Sequence, residues 1–221
     1  MAKPYHILLE EELQRIKQNL EKGEEKPSLL LHACCGPCSS YVIEYLLSFF
    51  SITVYFYNPN IHPAEEYERR QAELENFISE FIQKTAVQGL NLVCDQGYNP
   101  DEYFTATGTK ENEELQREHE KGERCRRCYE FRMKKAFEYA VQNSFDYVTT
   151  TLSISPHKDA HKINTIGKEL GKLVENPVYL FADFKKKAGF KRSLELSDEY
   201  GLYRQDYCGC VYSMRKPQIV E

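Results

Sequence analysis

Residues 28–39 read SLLLHACCGPCS: an almost wholly apolar run, two adjacent cysteines, a Gly-Pro pair and a third cysteine. A short apolar run stopped at once by turn residues predicts a buried strand, Ser28–Ala33. The turn at Cys34–Ser39 then leads into a helix over the aromatic stretch Tyr41–Phe49. The same pattern recurs along the chain. Ile52–Tyr57 is rich in β-branched and aromatic residues and stops at Asn58-Pro59-Asn60, and Tyr147–Leu152 (YVTTTL) stops at Ser153; a weaker strand is predicted at Leu90–Cys94. Between these runs, Pro63–Lys84 opens with Pro-Ala-Glu-Glu, as a first helical turn does, and Cys125–Asn143 and Ile163–Leu170 also have helical patterns.

Strands alternating with helices predict an α/β fold, a mainly parallel sheet with helices on both faces. Ligands of such sheets sit outside the carboxyl ends of the strands. Cys34 and Cys35 follow one strand directly and Ser153–His157 follow another, so both should border one crevice. Ahead of the sheet, Leu8, Leu9, Leu13, Ile16 and Leu20 form a helical stripe on a charged segment. The expected organisation is an N-terminal helical extension (1–25) and a single α/β catalytic domain (26–221). The polar stretch Asp95–Arg124, anchored by Tyr98, Tyr103 and Phe104, reads as an insertion over the site. Asp183–Ser213 runs basic, then acidic, then aromatic around Cys208.

The 221 residues are 41% hydrophobic and 29% charged with a net charge of -5, which suits a soluble domain with a real core and does not single out a nucleic-acid binder. No secretory signal and no apolar run of membrane-spanning length is visible, so a cytoplasmic location away from membranes is expected. In that reducing setting eight cysteines point to metal binding or redox chemistry rather than a disulfide framework. Seven of them fall in three groups: Cys34-Cys35-x-x-Cys38, Cys125-x-x-Cys128 and Cys208-Gly209-Cys210.

A Cys-x-x-Cys at a helix start puts two thiolates within reach of one metal or cluster. Cys34 and Cys35 would complete a four-cysteine set, able to hold a [4Fe–4S] cluster or a zinc ion. Adjacent cysteines favour the cluster, since zinc ligands usually come as spaced pairs. Cys208 and Cys210 could close only a very small, easily reduced disulfide ring, which suits electron shuttling; the competing role is metal ligation. Cys38 is open between a further ligand, a ligand to a second iron and a packed thiol. Cys94, after Leu92 and Val93, reads as a small buried hydrophobe.

Three other segments are candidates for substrate contact. Asn58, Asn60 and His62 lie on a rigid loop at a strand end, where a plain turn and helix cap is the competing reading. Ser155, His157 and Lys158 precede a helix and could cradle a phosphate or nucleoside. His157 and His161, four apart, have metal-ligand spacing, but Lys158 and Lys162 beside them favour a solvated face. Lys191 and Arg192, with Phe190 beside them, suit phosphates and stacked bases.

The segments LLLHACCGPCS, YFYNPNIHPAEEYERR, GERCRRCYEFRM, TTLSISPHKD with INTIG, and GFKRSLELSDEYGLYRQDYCGC resemble, in this order from about Ser28 to Ser213, the epoxyqueuosine reductases of the QueH family. The resemblance implies a Rossmann-like unit related to the adenine-nucleotide α-hydrolases, though no Ser-Gly-Gly-x-Asp-Ser loop follows the first strand and ATP use is not expected. It implies cobalamin-independent reduction of the epoxide of epoxyqueuosine to the alkene of queuosine, at the wobble position of tRNAs for Tyr, His, Asp and Asn. Cys34, Cys35, Cys125 and Cys128 match the [4Fe–4S] ligands, and Cys208 and Cys210 match a redox-active pair. An additional iron is also implied; Cys38 stands where some members have Asp, and an iron held by Cys38, Cys208 and Cys210 would exclude a disulfide between the last two. Asp183, Asp206 and His32 are candidate proton donors, and the electron donor is not identified. Two other classes compete: a zinc-stabilised RNA-binding protein without catalysis, and a metal-free thiol–disulfide oxidoreductase needing only Cys208 and Cys210.

Overall fold

The computed structural model describes residues 3–95 and 97–214. Five strands form one parallel sheet: β1 (Ser28–Ala33), β2 (Ser51–Phe56), β3 (Leu90–Cys94), β4 (Tyr147–Thr150) and β5 (Val178–Tyr179), in the order β3-β2-β1-β4-β5. The register sets Leu31 against Val54 on one side and Thr149 on the other. This is the α/β architecture that the alternating pattern predicts. Chain order reverses between β1 and β4, and at such a switch point the loops leave in opposite directions and open a crevice.

Side-chain alternation along the strands divides the core in two. Leu29, Leu31 and Ala33 of β1, with Ile52, Val54 and Phe56 of β2, face one layer. There they meet α1 (Tyr5–Glu21), α2 (Gly36–Leu46) and α3 (Ala64–Thr85). Leu30, Tyr55 and Val148 face the other layer, under α6 (Glu123–Gln142) and α7 (Ala160–Gly171). Leu9, Leu13 and Ile16 of α1 are buried in the same cluster as the strands, and Tyr147 of β4 donates to Glu12 of this helix at 2.5 Å.

Three differences from the sequence reading bear on the site. The helix after β1 starts at Gly36, five residues before Tyr41, because extended Cys35 acts as its N-cap and Pro37 occupies its first turn, where a missing N–H costs nothing. The β4 run ends at Thr150, and Thr151–Ile154 form a 3-10 turn, for Thr150 turns its hydroxyl to Leu152 N and ends the ladder. The polar insertion folds into α4 (Pro100–Thr107) and α5 (Glu113–Arg117), each capped by an asparagine, Asn99 and Asn112. A last helix, α8 (Gly189–Glu199), packs on α2.

Candidate active site

The sequence builds two thiol groups over the mouth of the sheet. Cys34 ends β1 and Cys35 caps α2, with Cys38 in the first turn of that helix. Their three sulfurs lie within 4.8 Å of one another, and Cys34 Sγ is 3.8 Å from Cys35 Sγ and 4.0 Å from Thr151 Oγ1 beyond β4. Hydrogen bonds from Cys35 and Cys38 hold the Cys34 thiol well below its ordinary range. That sulfur in turn pushes Cys35 and Cys38 up, so the first proton to leave the trio leaves Cys34. Gln205 donates to Cys35 Sγ at 3.1 Å.

The second group gathers Cys125 and Cys128, one turn apart on α6, with Cys208 and Cys210, and all four line one small pocket. Glu118 caps this end of α6 by accepting from Glu123 N at 2.7 Å and Arg124 N at 2.6 Å. Burial pushes the Cys128 thiol up to about 12 and the Cys210 thiol up to about 11. Cys210 also accepts from or donates to the buried Tyr103 hydroxyl at 3.4 Å. The loop that carries Cys208 and Cys210 is held by Arg70, a buried side chain on α3. Arg70 donates to Cys208 O and Tyr207 O, both at 3.3 Å, while pairing with Glu66 at 2.6 Å. Gly209 sits at φ +101°, and its carbonyl accepts from His62 N at 2.8 Å.

Two cations tie the groups together. Arg132, one turn beyond Cys128, is almost fully buried; the sulfurs of Cys128, Cys34 and Cys208 more than offset the cost of its burial. Lys158 is half-buried, and Cys34, Cys38 and Cys208 do the same for its ammonium. A buried charge without counter-charge costs several kcal/mol, and four thiols, Cys34 and Cys38 from the first group and Cys128 and Cys208 from the second, lie near enough to these cations to act on them.

The site opens into a cavity of about 670 Å³, within the range that holds a nucleoside-sized ligand. Cys38 and Cys208 line it, one thiol from each group. Much of the wall is basic, aromatic or polar (Arg117, Arg124, Arg204, His157, Lys158, Phe190, Tyr207 and Tyr212 with Gln116, Ser155 and Gln205), and Glu118, Glu120 and Asp206 are its acids.

The structure distributes the other expected residues unevenly. Ser155, His157 and Lys158 border the cavity, but Asp159 already caps α7, accepting from His161 N at 2.9 Å and Lys162 N at 3.1 Å. His161 turns away to Tyr5, 2.8 Å distant. Asn58 is buried between Ala33 O, to which it donates at 2.9 Å, and Arg132, which donates to its Oδ1. Asn60 lines the small thiol pocket, its buried Oδ1 without a partner among the described residues. His62 is half-buried beside Tyr98, and its carbonyl accepts from Tyr207. Lys191 and Arg192 do not line the cavity; Lys191 is exposed and Arg192 is paired with Glu44 at 2.7 Å. Of the candidate proton donors, Asp206 lines the cavity and Asp183 is paired with Lys185 at 2.7 Å. Burial and the Arg132 charge push His32 down to about 3, so it is neutral at physiological pH. Cys94 is half-buried beside Glu75.

Sequence reading passed over Arg132, Gln205, Arg70 and the role of Tyr103. For Arg132 a signal existed: Cys125, Cys128 and Arg132 stand at i, i+3 and i+7, one face of a helix.

Around the thiols, Arg132 Nε, Asn60 Oδ1 and Gln205 Oε1 are buried with no partner among the described residues. Orphaned polar atoms and buried cations beside clustered thiols fit an anionic thiolate-ligated group.

The family profile described as "Epoxyqueuosine reductase QueH" matches residues 29–216. This chain belongs to the QueH family of epoxyqueuosine reductases. Relatives of that name include those of Streptococcus pyogenes serotype M1, 44% identical over 94% of this chain and 78% of the relative, and Staphylococcus aureus, 37% identical over 94% and 84%. The protein of Thermotoga maritima is 31% identical over 85% of this chain and 90% of its own length. QueH proteins are oxidoreductases by name, and both thiol groups and the cavity wall lie inside the matched span. Among the described residues no helix is long and apolar enough to cross a membrane.

Proposed function

We propose that this chain reduces the epoxide of epoxyqueuosine to the alkene of queuosine at the wobble nucleoside of tRNAs for Tyr, His, Asp and Asn, in the cytoplasm and without cobalamin. Cys34, Cys35, Cys125 and Cys128 would hold a [4Fe–4S] cluster. Cys208 and Cys210 would act as a redox pair or, with Cys38, hold an additional iron. The cluster would supply electrons one at a time. The observation that carries this reading is that both thiol groups, with Arg132 and Lys158 among them, border a nucleoside-sized cavity.

The protein's own part is binding, orientation and charge. An anticodon nucleoside is reached in a single-stranded loop, where it can be unstacked into a pocket. Phe190, Tyr207 and Tyr212 offer stacking faces, and Arg117, Arg204 and His157 offer donors for the sugar and phosphates. With the nucleoside seated, its modified ring would meet Cys38 and Cys208, the two thiols that face the cavity.

The deciding experiment is iron, zinc and acid-labile sulfide per chain on protein purified without oxygen, followed by reduction of epoxyqueuosine-containing tRNA. Iron in excess of sulfide, with conversion to queuosine, is the expected result. Zinc without sulfide would sink the redox reading and leave a metal-stapled RNA-binding domain.

A further inference from the structure

Five residues line both the large cavity and the small thiol pocket: Glu120, Arg124, His157, Lys158 and Cys208. They form the doorway between the place where a nucleoside fits and the place where the sulfurs gather. Two of them, Arg124 and Lys158, carry a permanent cation, and Lys158 is the one with no carbonyl or carboxylate among the described residues holding its charged end. Glu120 is exposed and carries the wrong charge to hold an anion. Arg124 is buried and spends its Nη1 on Leu115 O at 2.7 Å and Gln116 O at 3.0 Å. His157 is exposed. Lys158 is half-buried, lines both pockets, and has no carboxylate within ion-pair distance among the described residues. Its backbone is fixed, because Lys158 N donates to Ser155 O at 3.2 Å and the next residue, Asp159, caps α7.

The proposed reaction has its largest charge problem at this doorway. Two electrons from a low-potential one-electron donor enter the substrate, both epoxide C–O bonds break, the carbon–carbon double bond forms, and the oxygen takes two protons from solvent and leaves as water. Between the first and second C–O cleavages the oxygen carries negative charge, beside sulfurs that would be thiolates once they hold a metal. A preplaced cation is worth most where such charge develops in a water-poor site.

We infer that Lys158 is a catalytic residue of this reaction, its ammonium holding the departing epoxide oxygen at the doorway between the cavity and the thiols. The inference rests on the epoxide-reduction reading above. It gives Lys158 a role distinct from gripping the nucleoside, because the interaction strengthens only as the C–O bond opens.

The test compares wild type, Lys158→Met and Lys158→Arg, all purified anaerobically. The readouts are iron and sulfide per chain, equilibrium binding of epoxyqueuosine-containing tRNA, and the single-turnover rate of queuosine formation. Lys158→Met should keep the iron and sulfide, bind the tRNA within about threefold, and lose roughly 10²–10³ in rate. Lys158→Arg, which keeps the charge, should recover at least tenfold of that loss. A Met variant as fast as wild type overturns the inference, as does a rate loss matched by an equal loss of tRNA binding. If the Met variant loses iron, Lys158→Gln takes its place; iron loss in both makes Lys158 part of the metal centre and overturns its role at the oxygen. Wild type that binds iron and sulfide but never forms queuosine refutes the parent reading, a result separable from the others.

Discussion

Cys34–Cys38 and Cys208–Cys210 face each other across one site, yet the chain supports them in opposite ways. The first group is local. It needs only the end of β1 and the first turn of α2, and Gly36 has ordinary helical space, its nearest neighbour to an added Cβ being Glu73 Cγ at 3.7 Å. The second group sits on an irregular segment held by distant partners: Arg70 from α3, His62 from the loop after β2 and Tyr103 from α4. Gly209 takes a left-handed backbone there, and an added Cβ would stand 2.8 Å from Ile61 Cγ1 and 3.1 Å from Arg70 Nη1. A site made this way has a rigid half that can anchor and a docked half that can be adjusted.

The largest effect that separates the halves is chemical. Cys35→Ser, in the anchored half, should lose both bound iron and activity. Cys208→Ser should abolish queuosine formation while the four-iron complement of iron and sulfide stays. Metal analysis beside a turnover assay reads both. Loss of sulfide together with the four-iron complement in Cys208→Ser would make the docked half part of the cluster's ligand set and reverse the division of labour.

Stability offers the next contrast, at two glycines. Gly209→Ala should cost about 1–3 kcal/mol in urea denaturation, because a side chain is strained at that φ and the neighbours cannot move away: one is backbone-anchored Ile61 and the other the pinned guanidinium. Gly36→Ala should be neutral or stabilise by about 0.4–1 kcal/mol, since the helical conformation suits alanine and only the unfolded chain loses freedom. Equal costs at the two positions would mean that the first turn is as dependent on distant packing as the last loop.

The same contrast governs what could be read in advance. β1 was legible as an apolar run stopped at once by turn residues, β3 as a weaker strand, and the helices α3, α6 and α7 by their helical patterns, with proline and acids opening α3. Cys34, Cys35 and Cys38 were legible because they are adjacent in sequence. α8 was not, since the residues it buries are Gly189, Ser193, Leu196 and Ser197, mostly small or polar and packed tightly rather than greasily. α4 was passed over although Asn99-Pro100-Asp101-Glu102 is a helix-start signature. The pairing of thiols was also out of reach. Nothing in spacing says that Cys208 and Cys210 join Cys125 and Cys128; that follows from where the last loop docks, through Arg70 and the Gly209 carbonyl.

A pH-dependent effect sharpens the anchored half. His32 is buried in β1, its Nδ1 2.9 Å from Thr150 Oγ1 and its Nε2 3.2 Å from Tyr57 O. The carbonyl can only accept, so Nε2 carries the proton and Nδ1 accepts from the threonine hydroxyl. The imidazole thus braces β4 and the end of β2 against β1, in its neutral form. With the folded value near 3 and the ordinary value at 6.5, the unfolded chain binds the extra proton between those limits. Stability therefore rises with pH through that window and is complete above about 6.5. Between pH 7 and pH 5 this group should account for about 2 kcal/mol of lost stability. Urea midpoints at the two pH values, in wild type and in His32→Gln, isolate it from the other acid-sensitive groups: the glutamine amide can still donate to Tyr57 O but cannot take up a proton, so its slope should be flatter by that amount. Identical slopes would mean that β1 yields enough on acidification to let the imidazole reach water, and the anchored half would then be less rigid than its hydrogen bonds imply.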